Sequence, residues 1–106
     1  MLPGVSPGVR AYHDRMKPLT RTIEESNHAG KGFLLVEMDA ASTFLDVAGT
    51  TAQPDVARRN RDHAHEAYVT ILRYLDRVRF EEGEKSAFDS RLGVLRERLA
   101  EIGYPV

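Results

Sequence analysis

The sequence contains no cysteine and no tryptophan. Without cysteine there can be no disulfide staple, no thiolate metal site and no cysteine nucleophile. The lack also fits a reducing compartment. Excess charge of one sign is missing too: 15 Lys and Arg stand against 16 Asp and Glu, a formal net charge of −1, with the signs interleaved. Binding to nucleic acid or to an anionic membrane surface asks for a basic excess or a basic stripe. Neither partner is expected here. Long apolar runs are absent as well. The longest, residues 33–36, falls far short of the roughly 20 residues a membrane span requires. The N-terminus shows no basic n-region followed by an apolar h-region, so a cytoplasmic protein is expected.

What the chain does have is ordinary globular composition. Its 106 residues suit one domain, and 42% apolar with 29% charged residues is not the signature of a disordered chain. Apolar residues recur with helical periodicity in four segments, and none alternates as a strand would.

The first segment opens on Pro3-Gly4 and Pro7-Gly8, with Ser6 placed as a cap before a first-turn proline. Val9, Tyr12, Met16, Leu19 and Ile23 follow at spacings of 3, 4, 3 and 4. Pro18 falls inside this stripe and predicts a kink or a break, because it removes a backbone donor and crowds the preceding turn. Residues 26–32 (Ser-Asn-His-Ala-Gly-Lys-Gly) read as a loop.

The second segment runs from Phe33 to about Thr50, with Leu34, Met38, Ala41, Leu45 and Ala48 on one face. The third opens at Pro54 and holds a 4, 3 rhythm through Ala57, Arg61, Ala64, Tyr68, Ile71, Leu75 and Val78. Small residues come first on this face, so a neighbouring helix should approach most closely near Ala57 and Ala64. The fourth carries Phe88, Leu92, Leu95, Leu99 and Ile102, with Gly103 placed just past its end. Short connections favour antiparallel neighbours. The expected fold is all-α, a three- to four-helix antiparallel bundle, with residues 1–32 as a proline-interrupted N-terminal extension and 33–106 as the bundle domain.

Residues 40–75 resemble a tetratricopeptide-type helical hairpin. The likeness rests on Ala-Ser-Thr-Phe-Leu-Asp-Val-Ala, on Gln-Pro-Asp, and on the small–aromatic face of Ala64 and Tyr68 followed by Ile71. The stretch is also similar to short bacterial helical-hairpin proteins of uncharacterised role that carry a Phe-Leu-Asp-Val-Ala, Arg-Asn-Arg, Ala-Tyr run. These resemblances imply a protein-binding or self-associating role rather than chemistry.

Four groups of polar residues carry candidate chemistry. His28-Ala29-Gly30-Lys31-Gly32 resembles the His-x-x-Lys-Gly spacing of histidine phosphotransfer domains, which implies His28 as phosphoacceptor with Lys31 offsetting phosphoryl charge. Glu25-x-x-His28 has metal-ligand spacing, but a di-iron bundle needs two such motifs and two further glutamates. His63 and His65 are two apart on a helix and point to different faces, and Asp62 and Glu66 fall on the solvent side. Arg58, Arg59 and Arg61 form a basic cluster near the start of the third segment, and Arg61 and His65 share a stripe; together they could grip a phosphate or a partner's acidic patch, although Asp55 and Asp62 beside them favour pairing within the helix. No strand precedes a glycine-rich loop, and no nucleophile set has assignable geometry. The expectation is a non-enzymatic interaction or self-assembly module without metal or cofactor. Phosphotransfer through His28 is the alternative.

Overall fold

The computed structural model describes the backbone of residues 7–106 and the side chains from Thr22 onward, other than Ile23. Helix α1 spans Pro7–Thr50 and α2 spans Pro54–Tyr74. A 3-10 turn at Leu75–Arg77 leads towards α3, Glu82–Glu101. No strand occurs among the described residues, so the chain is all-α. The cap expected at Ser6 and the stripe of Val9, Tyr12, Met16, Leu19 and Ile23 lie outside what is described.

Several expectations are corrected. The loop predicted over residues 26–32 is helix, continuous with the segment that was to begin at Phe33. Of the kink or break expected at Pro18, the break does not occur, and the helix assignment continues through it. The boundary placed between residues 32 and 33 therefore falls inside α1. Helical glycines cost about 1 kcal/mol each relative to alanine, and tertiary packing overrides that cost here. Asn27, Gly30, Lys31 and Leu34 fall at i, i+3, i+4 and i+7, which is one helix face. Against it lies the connection from α2 to α3. The Asn27 side-chain amide donates to the Arg79 carbonyl at 3.0 Å and accepts from the Arg79 N–H at 2.6 Å. A β-carbon at Gly30 would lie 2.8 Å from Val78 Cγ2, so glycine is what lets this connection approach. The third segment also stops sooner than its rhythm implies. Helix α2 ends at Tyr74, and Val78 is extended backbone.

The helix ends follow local chemistry. Pro54 sits in the first turn of α2, where its missing N–H costs nothing. Glu81 caps α3 through a reciprocal pair: its side chain accepts from the Glu84 N–H, and Glu84 Oε1 accepts from the Glu81 N–H at 3.1 Å. Gly103, at φ +90°, closes α3. Its N–H donates to the Ala100 carbonyl and that of Tyr104 to the Leu99 carbonyl, both at 3.0 Å, the doubled bond that a glycine terminus allows.

The core sits along one seam. Leu34, Met38, Ala41 and Leu45 of α1 meet Ala64, Ala67, Tyr68 and Ile71 of α2 and Phe88, Leu92, Leu95 and Leu99 of α3. Ala41, Ala64 and Ala67 lie where α1 and α2 face each other and let those two helices come close. Leucines and Phe88 fill the wider gap to α3. Ile102, assigned to the fourth apolar face, stays exposed beyond the end of α3. Three ion pairs tie α1 to α3: Lys31 with Glu84, Asp39 with Arg91, and Asp46 with Arg98. Seven residues separate Asp39 from Asp46, and seven separate Arg91 from Arg98. The two helices therefore run parallel, with α2 antiparallel to both.

Candidate functional site

His28 is exposed on α1. Lys31, its expected companion, is committed to Glu84 at 3.0 Å. Glu84 is held below the usual carboxylate range, first by the Glu81 backbone N–H and then by Lys31, with His28 contributing at longer range. A phosphoryl group on His28 would face this carboxylate. The helix thus brings His28 and Lys31 near each other, but an acidic neighbour accompanies them.

Arg58, Arg61 and His65 occupy one stripe of α2 and meet different surroundings. Arg58 is exposed and lies 3.6 Å from Asp55. Arg61 lines a small cleft of about 180 Å³ at the end of the bundle, with Leu45, Gly49, Arg98 and Glu101. The C-termini of α1 and α3 both point to this end, where unpaired carbonyls carry partial negative charge. No basic residue stands in the last turn of α1 itself. Arg98, in the last turn of α3, reaches Asp46 of α1 at 2.9 Å, and Arg61 lines the same cleft. His65 is covered by the chain's own C-terminal tail. The Tyr104 ring packs on it at 5.0 Å, and its Nε2 donates to the Pro105 carbonyl at 3.0 Å. Tyr104 in turn donates its hydroxyl to Asp62, which pushes its ionisation above the ordinary tyrosine value.

His63 packs on Phe44 and lies 3.6 Å from Glu66, away from His65. Among the described residues, no three His, Asp or Glu side chains converge on a point where a metal ion could sit. No helix of the described residues is long and apolar enough to cross a membrane.

One surface lies outside the core stripes. The outward face of α1 carries Ser26, Ala29, Phe33, Val36, Ala40, Thr43, Val47 and Thr50, spaced 3, 4, 3, 4, 3, 4, 3, with no charge among them. Val36 is 64% exposed, Phe33 43% and Val47 37%, and Leu35 flanks them at 43%. The outer surface of α2 sets Val69 and Leu72 beside Arg59, His63, Glu66 and Arg73, and that of α3 sets Val94 beside Glu97 and Glu101, so both are interrupted by charge. An uncharged outer face on one helix of three is a departure from the solvated exterior that a free helix keeps. Compared with protein-family models, curated proteins and solved structures, the chain matches none.

Proposed function

We propose that the chain is a non-enzymatic, cytoplasmic interaction module that binds a protein through the outward face of α1. The observation that supports this is the uncharged seven-residue repeat on that face, with Phe33, Leu35 and Val36 exposed within a single turn. Contiguous exposed apolar surface on a small domain marks an interaction site. Helical spacing of the apolar positions suits a partner helix laid along the face. The hairpin resemblance of residues 40–75 points to the same kind of role. The side chains with chemical capacity support it from the other direction, since Lys31, Asp39, Asp62 and His65 each make a structural contact within the chain.

The test is site-specific photo-crosslinking in cells. A Val36→p-benzoylphenylalanine variant should yield a discrete covalent adduct, and the same probe at Arg59, on the charged outer face of α2, should not. Absence of any adduct at position 36 would remove the basis for the reading.

A further inference from the structure

We propose that the partner on this face is a second copy of the chain, docked antiparallel along α1 in one register. The proposal rests on the interaction reading above and names its occupant.

The pattern itself is that of a helix pairing seam. Positions spaced alternately by 3 and 4 return to one side of a helix every seven residues, as in two-stranded coiled coils. Two identical faces can meet about a two-fold axis only if the surface complements itself. A seam with no charge meets that condition, whereas a partner recognised by charge would need charged positions to read.

Charges on the flanks choose the register. Glu25, Gly32, Asp39 and Asp46 lie along the edge facing α3, and Gly30, Glu37 and Phe44 along the edge facing α2. In antiparallel pairs like edges meet. Setting Phe33 against Val36 of the second copy aligns Ala29 with Ala40 and Ser26 with Thr43. Asp39 then falls opposite Gly32, and Glu37 meets no carboxylate, since the position across from it, Gly30, lies beneath Val78. Glu25 arrives beside Asp46, where Arg98 is already bound at 2.9 Å and can receive a second carboxylate. A shift by one heptad would instead oppose Asp39 to Asp39 and Glu37 to Glu37. The antiparallel direction also sets the dipoles of the two long helices against each other. Small residues at Ala29, Ala40 and Thr43 allow the close approach that alanines already give α1 and α2 within the chain.

The seam and its flanks supply about 15 residues a side, against roughly 20–30 in a standard stable interface. The interface is therefore smaller than a standard stable one, and the dimer is reversible.

The chain has no native cysteine, which makes the register directly readable. Sedimentation of the full chain should show a monomer–dimer equilibrium, and Val36→Glu should weaken it at least tenfold while leaving the helical signal unchanged. Under mild oxidation the double variant Ala29→Cys/Ala40→Cys should form a covalent dimer, and Ala40→Cys alone should not. A strict monomer at high micromolar concentration overturns the proposal. So does a dimer that Val36→Glu leaves intact, or one that crosslinks through Ala40→Cys alone, which would be parallel. The photo-adduct at position 36 separates the two claims. An adduct with a different protein from a monomeric chain defeats self-pairing and leaves the interaction reading standing, whereas no adduct defeats both.

Discussion

Gly30 lies directly under Val78: a β-carbon on the glycine would sit 2.8 Å from Val78 Cγ2, closer than packed carbons approach. Gly93 in α3 has nothing within 4 Å of the same position. The two glycines thus separate backbone propensity from packing. Gly93→Ala should raise stability by about 0.5–1 kcal/mol, the ordinary helix gain. Gly30→Ala meets a stiff β-branched side chain, and overpacking costs typically ~1–3 kcal/mol. It should lose about 1 kcal/mol net, and adding Val78→Ala should recover most of the loss. Denaturant midpoints of the four proteins check this.

Acid should weaken the junction between α1 and α3. Glu84 has its folded-state ionisation lowered from 4.5 by the Glu81 N–H and by Lys31. A lowered carboxylate contributes stability that is fully present above its unfolded value and is lost as pH falls through the folded one. The chain should therefore hold this contribution at pH 5 and above and lose it progressively below about pH 4.5. Glu84→Gln should flatten that part of the pH–stability curve, as followed by thermal melting from pH 6 to pH 3.

Tyr104 should titrate late. Its hydroxyl donates to Asp62, so ionisation must break that bond next to a carboxylate. The folded value is raised above 10.0. The stabilisation is present below the unfolded value and is lost as pH rises through the folded one. Absorbance at the phenolate band should show one tyrosine ionising above the others. Asp62→Asn should bring it back toward its ordinary value.

The wide gap to α3 depends on Phe88, which is 2% exposed and stacks on Phe80 at 5.1 Å. Phe88→Ala should cost about 3–5 kcal/mol. A small domain has only roughly 5–15 kcal/mol in total. Loss of α3 docking should appear as a lower, broader melting transition with much of the helical signal retained.

Where a local rule and the tertiary contact agree, the sequence predicts the structure well. Pro54 opens α2, Gly103 closes α3, and Leu34, Met38, Ala41 and Leu45 form the α1 core face. The failures are equally specific. Residues 26–32 read as a loop because two glycines and an asparagine disfavour helix locally. What holds them helical is the segment around Val78 and Arg79, some fifty residues away, and no window of sequence contains both. The outward face of α1 was legible but hidden. Its repeat lies two residues out of phase with the core stripe, and a reading that assigns one apolar face per helix stops at the first. At His65 the stripe was visible from spacing, but the tail that covers it was not.

The connection of residues 51–53 also orders the events of folding. Helices α1 and α2 can zip from this turn by closing very short loops, which is fast. The ion pairs that fasten α3, by contrast, join residues 52 or 53 apart and must wait for a long loop to close. The Asn27 clamp on Arg79 stands at the open end of the hairpin, farthest from the turn. It is the last junction to form and the first to fray. Amide exchange should accordingly be fastest at Arg79 and its neighbours and slowest near Ala41 and Ala64, which are fully buried in the middle of the seam.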